Sequence, residues 1–158
     1  MKKRLQWSTT VAFALIAQVA YAELGGTPTW GGTATENFAV SSQTVRRMSA
    51  ISIPYTVRES TLAGGTSVRE YVNGTGTVFA VAWQGTHVPD LSALLGSYFS
   101  GYQQSVEQQN AQLGGGFGPV TVERSDVAVQ TGGHMGSYIG RAWLKKGLPA
   151  GMDTADIK

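Results

Sequence analysis

Cysteine is absent from the 158-residue sequence, and histidine occurs only at His87 and His134. The missing cysteines exclude disulfide bonds, thiolate metal ligands, a cysteine nucleophile and a lipid-modified cysteine anchor. A zinc site needs three or four ligands at suitable spacing, which two remote histidines do not provide. We therefore expect no metal and no cofactor, and a fold that is held together by burial of apolar side chains.

Long apolar runs are also scarce, and the one candidate lies close to the first residue. A basic cluster at residues 1–4 precedes an apolar stretch at residues 11–17, and small residues occupy positions Ala20 and Ala22. This order predicts a signal peptide over residues 1–22 that is cleaved after Ala22. The apolar stretch is shorter than the roughly 20 residues that a membrane-spanning helix needs. The alternative, an amphipathic helix kept in the mature protein, has little periodic support.

Positive charge is scarce once this segment is removed. The whole chain has 12 basic and 10 acidic residues, and three of the basic ones are Lys2, Lys3 and Arg4. The nine that remain leave a net charge of −1 with histidine neutral. No later basic cluster exists, so nucleic acid is not an expected partner. We expect a periplasmic or secreted protein with no membrane span after cleavage, whose partner is another exported protein or an envelope component.

Three strands joined by turns are predicted in the middle of the chain. Residues 55–62, 66–72 and 77–83 are rich in β-branched and aromatic side chains. The glycine pair at 64–65 and the turn sequence at 73–76 separate these strands, and asparagine and glycine tolerate the backbone angles of tight hairpins. The third stretch is apolar on both faces, which indicates a central strand.

Four charges on the first two strands predict the register of their pairing. A three-residue loop at 63–65 places Arg58 opposite Glu70 and Glu59 opposite Arg69, whereas a two-residue loop would oppose two glutamates. A solvated lattice of cross-strand pairs is the simpler interpretation of these charges. A polar functional site on the sheet is the alternative.

A long amphipathic helix is predicted after the third strand. Pro89 and Asp90 are favourable at a helix start, and the glycine triplet at 114–116 is expected to end the helix. The apolar residues at helical spacing are Leu91, Leu94, Leu95, Tyr98, Phe99, Tyr102 and Val106. Such a stripe usually covers a sheet, and a helix that binds a partner or a membrane surface is the alternative.

Further strands are predicted at residues 120–123, 127–130 and 134–143, with a turn at Gly132-Gly133. The predicted fold class is α+β: an antiparallel β-meander, one long amphipathic helix packed on the sheet, then a further β-hairpin. Residues 53–146 form the single domain. A Gly- and Thr-rich extended lead-in over residues 23–52 precedes it, with residues 37–51 ambiguous, and a C-terminal tail over residues 147–158 follows.

Several stretches carry a family resemblance that covers nearly the whole mature chain. They are Leu24-Gly25-Gly26, Tyr55-Thr56-Val57-Arg58-Glu59, Val68-Arg69-Glu70-Tyr71-Val72, Val78-Phe79-Ala80-Val81-Ala82-Trp83, Pro89-Asp90-Leu91, Leu94-Leu95-Gly96-Ser97-Tyr98-Phe99, Gly132-Gly133-His134-Met135, Gly140-Arg141-Ala142-Trp143-Leu144 and Leu148-Pro149-Ala150-Gly151. Together they resemble a bacterial exported family known as domain of unknown function 2844. The resemblance implies export and a single domain, and it assigns no catalytic residue.

His134 is the best candidate for a catalytic residue, although a weak one. It precedes Arg141 and Trp143 on the same predicted strand, but no Gly-x-Ser-x-Gly nucleophile motif accompanies it. A histidine at a strand start more often makes a structural hydrogen bond. The carboxylates are scattered, and none forms a pair of the glycosidase type.

Two function classes remain open. The favoured one is a non-catalytic binding or assembly module that uses the sheet face opposite the helix or the Gly-rich N-terminal segment. The alternative is a small periplasmic hydrolase with a nonstandard site near His134. An exposed cluster of Tyr71, Trp83 and Trp143 on the open sheet face would favour binding. A pocket that joins His134 to a carboxylate and a serine would favour catalysis.

Overall fold

A computed structural model describes residues 23–28, 55–62, 64–113 and 118–158 of the chain. Some sequence predictions lie outside the described residues: the signal peptide at 1–22, the extended lead-in over its residues 29–52 with the ambiguous segment at 37–51, and the glycine triplet at 114–116. The predicted α+β fold is confirmed within the described part.

In the described part of the chain, six antiparallel strands form one sheet in the order β1-β2-β3-β6-β5-β4. They are β1 (Tyr55–Thr61), β2 (Ser67–Asn73), β3 (Val78–Gly85), β4 (Val120–Glu123), β5 (Val127–His134) and β6 (Ser137–Leu144). The meander β1-β2-β3 joins the hairpin β5-β6 through the pairing of β3 with β6. The strand predicted to be central from its apolar faces, β3, is with β6 one of the two central strands of this described sheet.

The first hairpin has the register that its charges predict. Arg58 lies opposite Glu70, and Glu59 lies opposite Arg69. The amide of residue 62 donates to the carbonyl of Thr66 at 2.8 Å, which leaves the three-residue loop 63–65. The expected solvated lattice is wrong for Glu70, because its side chain is only 5% exposed.

The helical region follows β3 at the predicted place. The Asp90 carboxylate caps it by accepting hydrogen bonds from the amides of Ser92 and Ala93 at 2.9 and 3.3 Å. A short helix, α1 (Leu91–Leu95), leads through a 3-10 turn (Gly96–Tyr98) into α2 (Phe99–Leu113). The sequence did not predict this interruption, which occurs where Gly96 adopts a positive φ of 51°. In the described part of the chain, neither helix has the length and apolarity required to cross a bilayer.

The sheet buries apolar residues on both faces. The helix face packs against the predicted apolar stripe, in which Leu95 is fully buried and Leu91, Phe99 and Val106 are half-buried. The opposite face has its own cluster, built from Tyr71, Phe79, Ala80, Ala82, Ala128, Trp143 and Ile157. Ile157 belongs to residues 147–158, so the tail covers part of the second sheet face.

The N-terminal described segment is also packed into the domain. Leu24 is 1% exposed, and its amide donates to the carbonyl of Leu94 at 3.0 Å. Gly25 donates to the carbonyl of Val78 at 2.8 Å, and the Val78 amide donates back to Gly26 at 3.0 Å. This segment therefore connects α1 to the start of β3.

The turn predicted at Gly132-Gly133 is wrong. Both glycines lie inside β5, opposite Ile139 and Tyr138, and the chain reverses instead at residues 135–136. Gly133 has φ +128°, and a side chain there would clash with the backbone of β6. Gly133 therefore allows β5 and β6 to approach each other closely, and it does not form the turn between them.

Candidate functional site

His134 lies at the exposed end of β5, beside the tight turn to β6. Its Nδ1 is 3.1 Å from the carbonyl oxygen of Met135, and Met135 itself is 90% exposed. Within the described residues, no carboxylate or serine forms a hydrogen bond with His134. The arrangement has the local hydrogen bond of a structural histidine, without the partners that a general base needs.

His87 lies in the loop after β3 and contacts the first hairpin. Its Nδ1 is 2.9 Å from the Thr86 hydroxyl and 3.3 Å from the carbonyl of Gly64. The two histidines are therefore at separate loops. Among the described residues, no group of three or more His, Asp and Glu side chains comes together as a metal site would require.

The three aromatic candidates for a binding surface do not form one exposed cluster. Tyr71 and Trp143 belong to the core opposite the helix, where they are 3% and 6% exposed. Trp83 lies in the helix-side core and packs over Gly140, where no side chain would fit. The sheet itself separates Trp83 from the other two.

A groove lies on the sheet face opposite the helices, and we call it the sheet groove. Its volume is about 680 Å³. It is lined by Ser67, Arg69, Ala82, Trp83, Gln84, Pro119, Thr121, Gln130, Thr131, Gly132, Ile139, Gly140, Arg141, Ile157 and Lys158. These residues come from five strands and from the tail.

Alternation along the strands explains why the groove lies where it does. On β6, Trp143 is in the core beneath the tail, Arg141 lines the groove and Ile139 is 52% exposed at its open end. On β5, Ala128 and Gln130 repeat the change from buried apolar to polar. The tail covers one end of this face, and the other end stays open, with polar side chains beside the exposed Ile139.

Arg141 is held in place by neutral groups. Its Nε donates to Gln130 Oε1 at 2.8 Å, and its Nη1 donates to the carbonyls of Thr154 and Ile157 at 2.9 and 3.3 Å. The guanidinium carbon lies 5.5 Å from the ring centroid of Trp143, within range of a cation–π interaction. The tail and the sheet together therefore fix the position of this side chain.

Arg69, across the groove, differs because it has a carboxylate partner. Its Nη1 donates to the main-chain oxygen of Lys158 at 2.9 Å, and its Nη2 lies 3.3 Å from Glu59 Oε1. Glu59 also accepts a hydrogen bond from the Ser67 hydroxyl at 2.6 Å. The bond from Ser67, together with Arg69, lowers the pKa of Glu59 although burial acts in the opposite direction. The positive charge of Arg69 is thus neutralised within the fold.

The described lining offers groups that can bind a ligand. Among the described residues, hydroxyl, amide and guanidinium groups line the groove together with apolar side chains, and no histidine, aspartate or glutamate side chain does. Sequence reasoning noted Arg141 only as a neighbour of His134 and Arg69 only as part of a charge pattern. Residues two positions apart on a strand share one face of the sheet. On β2, β5 and β6, a polar residue follows or precedes a buried apolar residue at this spacing, and this pattern could have indicated the groove.

A comparison with protein families matches residues 20–157 to the family described as "protein of unknown function (DUF2844)". The chain belongs to this family. The matched span includes every strand and the whole lining of the groove except Lys158. Comparisons with curated proteins and with solved structures gave no match.

Proposed function

We propose that this member of the DUF2844 family is an exported, periplasmic or secreted protein that acts as a non-catalytic binding module. The observation that carries the proposal is the sheet groove, whose lining combines apolar surface with hydroxyl, amide and guanidinium groups on five paired strands. Strands hold their side chains in fixed positions, so the donors and acceptors in the groove are ordered before a ligand arrives. The basic start of the sequence and its small residues at Ala20 and Ala22 support export.

A hydrolase that works near His134 is the second candidate, and it has weaker support. His134 does not line the groove, and its bonded neighbour is a backbone carbonyl. Acyl transfer or hydrolysis needs a nucleophile, a base and an orienting group that meet in one place. The described residues bring no such set to the β5-β6 turn.

Filling the groove tests the proposal in the cell. A Cβ atom at Gly132 would have only the Pro119 side chain near it, at 3.8 Å, so Gly132→Phe should place a ring in the groove without disturbing the sheet. The matched control is Gly74→Phe, because a Cβ atom at Gly74 meets nothing within 4 Å on an exposed turn. We expect Gly132→Phe to fail in complementing a deletion strain and Gly74→Phe to succeed, with thermal unfolding of both variants near that of the natural protein.

His134→Gln in the same assay separates the two candidates. We expect it to complement, with a stability loss of about 1 kcal/mol from the altered hydrogen bond. A general base typically contributes about 10²- to 10⁴-fold to a rate, so its loss would abolish activity and leave folding nearly intact. If His134→Gln folds normally but does not complement the deletion strain, and Gly132→Phe does complement it, the binding function would be contradicted and the hydrolase favoured.

A further inference from the structure

We propose that the sheet groove binds an extended acidic peptide segment of another exported protein, and that Arg141 accepts one of its carboxylates. This inference rests on the proposed function and specifies the ligand of the same groove.

The charge of the groove is the first argument. Of the described side chains that line it, Arg69, Arg141 and Lys158 are basic and none is acidic. Glu59 compensates Arg69 at 3.3 Å. Arg141 has no carboxylate within ion-pair distance in the described part of the chain, since its partners are one side-chain amide, two carbonyls and an aromatic ring. A half-buried guanidinium surrounded only by neutral groups leaves a positive charge for a ligand to neutralise.

The fixed position of Arg141 is the second argument. Its Nε and Nη1 are engaged by Gln130, Thr154 and Ile157, whereas its Nη2 makes no hydrogen bond within the described residues. The bonds already made restrict the side chain, so a carboxylate that binds Nη2 costs little additional conformational entropy. A charge-assisted bond to a guanidinium is about twice as strong as a neutral one.

The tail indicates that the ligand is a peptide. Arg141 already binds the backbone carbonyls of Thr154 and Ile157, and Arg69 binds the main-chain oxygen of Lys158. The groove continues from this segment across the open end of the sheet, so an extended chain placed there would meet the same kind of donors. Its remaining side chains suit peptide amides and an apolar residue. They include Ser67, Gln84, Thr121, Thr131, Pro119 and Ile139.

An acidic polysaccharide is the less favoured ligand. Sugar rings commonly stack on exposed aromatic side chains, in the way that flat apolar faces pair with aromatic surfaces. Trp83 is the aromatic residue of the described lining, but it is only 3% exposed and packs in the helix-side core. Trp143 lies beneath Arg141, and Tyr71 is buried in the core that the tail covers. The described groove therefore offers no exposed ring to a sugar.

Peptide binding tests the inference directly. The probe is a fluorescein-labelled octapeptide of alternating glutamate and valine, and its control has glutamine in place of glutamate. We expect fluorescence anisotropy to show at least about tenfold tighter binding of the acidic peptide at low salt, with the difference reduced by added salt. Arg141→Gln should weaken the binding of the acidic peptide about tenfold or more. Arg124→Gln is the matched control, because it removes one positive charge from a site against α2 and should leave binding unchanged.

Gly132→Phe provides a second variant, since Arg141 also holds the tail and its loss could loosen the fold. This variant leaves Arg141 in place and should abolish peptide binding by occupying the groove. Equal binding of the two peptides, or unchanged binding by Gly132→Phe, would overturn the inference. Oligogalacturonate, an acidic oligosaccharide, and unlabelled acidic peptide can each be tested for displacement of the labelled peptide. If oligogalacturonate displaces it more strongly, the inference is overturned in favour of a polysaccharide ligand. If Gly132→Phe fails to complement while the acidic peptide does not bind, the groove remains the functional site and only its ligand class is wrong.

Discussion

Tyr71 joins the sheet to the tail through a single hydroxyl group. The hydroxyl donates toward the carbonyls of Lys158 and Asp156, at 2.9 and 3.2 Å, and accepts from the Lys158 amide at 3.0 Å. Burial raises the pKa of Tyr71 above its ordinary value of about 10. The hydroxyl therefore stays protonated in the folded protein under conditions in which an exposed tyrosine would begin to ionise.

Stability should consequently fall in alkaline solution. A raised pKa in the folded state means that the unfolded chain loses the proton first, so the contribution of Tyr71 is complete below about pH 10 and is lost as the pH rises further. Tyr71→Phe should cost about 1–3 kcal/mol at neutral pH, because buried partners lose their hydrogen bond. It should also flatten the decline in stability above pH 10. Denaturant unfolding between pH 7 and 11 measures both effects.

Tyr138→Phe is the control for this experiment, since Tyr138 is a half-exposed tyrosine on β6. It should leave the alkaline decline as it is in the natural protein. If the free energy of unfolding declines equally above pH 10 in the natural protein, Tyr71→Phe and Tyr138→Phe, ionisation of Tyr71 does not cause the alkaline loss of stability.

Arg141 shows at the scale of one residue why the site was missed from the sequence. Its position on the last predicted strand was clear, but its partners Thr154 and Ile157 lie in the tail, where the sequence has no repeating pattern. The groove exists because the tail folds back over one end of the sheet. That contact joins residues as distant as Tyr71 and Lys158, which are 87 positions apart, and no local pattern encodes it.

The helical region is the element for which the sequence was most informative. Its apolar stripe has the period of a helix, and the residues of that stripe are the ones that pack on the sheet. Its interruption at Gly96 was not predicted, because the cause lies elsewhere: a side chain at Gly96 would clash with that of Glu23. The Glu23 carboxylate accepts a hydrogen bond from the Ser97 amide at 3.1 Å in the same place.

Packing of this element predicts unequal effects of two substitutions. Leu95 is fully buried, and Leu95→Ala should cost about 2–5 kcal/mol of unfolding free energy because it leaves a cavity against the sheet. Gln104 is exposed on α2, and Gln104→Ala should change stability by less than about 0.5 kcal/mol. Urea unfolding of both variants measures the difference. Small and equal losses would contradict the packing of α1 against the sheet and would favour a helix that binds a partner.

The sequence predicts the pairing of the β1-β2 hairpin correctly and places the turn of the β5-β6 hairpin wrongly. Opposite charges and a three-residue loop were sufficient for the β1-β2 register, because like charges exclude the alternative. In the β5-β6 hairpin, the glycine pair predicts a turn at residues 132–133, whereas the turn lies at residues 135–136. Glycine favours a turn and a close strand contact equally, so its position alone could not distinguish them.

At the scale of the whole molecule, residues near both ends of the proposed mature chain are buried. Leu24 is 1% exposed against the helix-side core, and Ile157 is fully buried in the opposite core. Each face of the sheet thus depends on one of these segments as well as on the elements between them. Proteolytic cleavage favours exposed and flexible chain, and the bond after Ala22 lies two residues from a buried side chain. We therefore expect removal of the proposed signal peptide to precede complete folding.

Processing gives a direct test of the proposed export. Intact-mass measurement of protein recovered from the periplasm or the medium should give a chain that begins at Glu23, because the small residues at Ala20 and Ala22 direct cleavage to that bond. Ala22→Phe should block processing and cause full-length chain to accumulate. Leu24→Ala is the control, since it lies beyond the cleavage site: the start at Glu23 should persist, while the lost burial should reduce stability by about 2–5 kcal/mol. Full-length natural protein found only in the cytoplasm would remove the basis for export and, with it, for an exported partner in the groove.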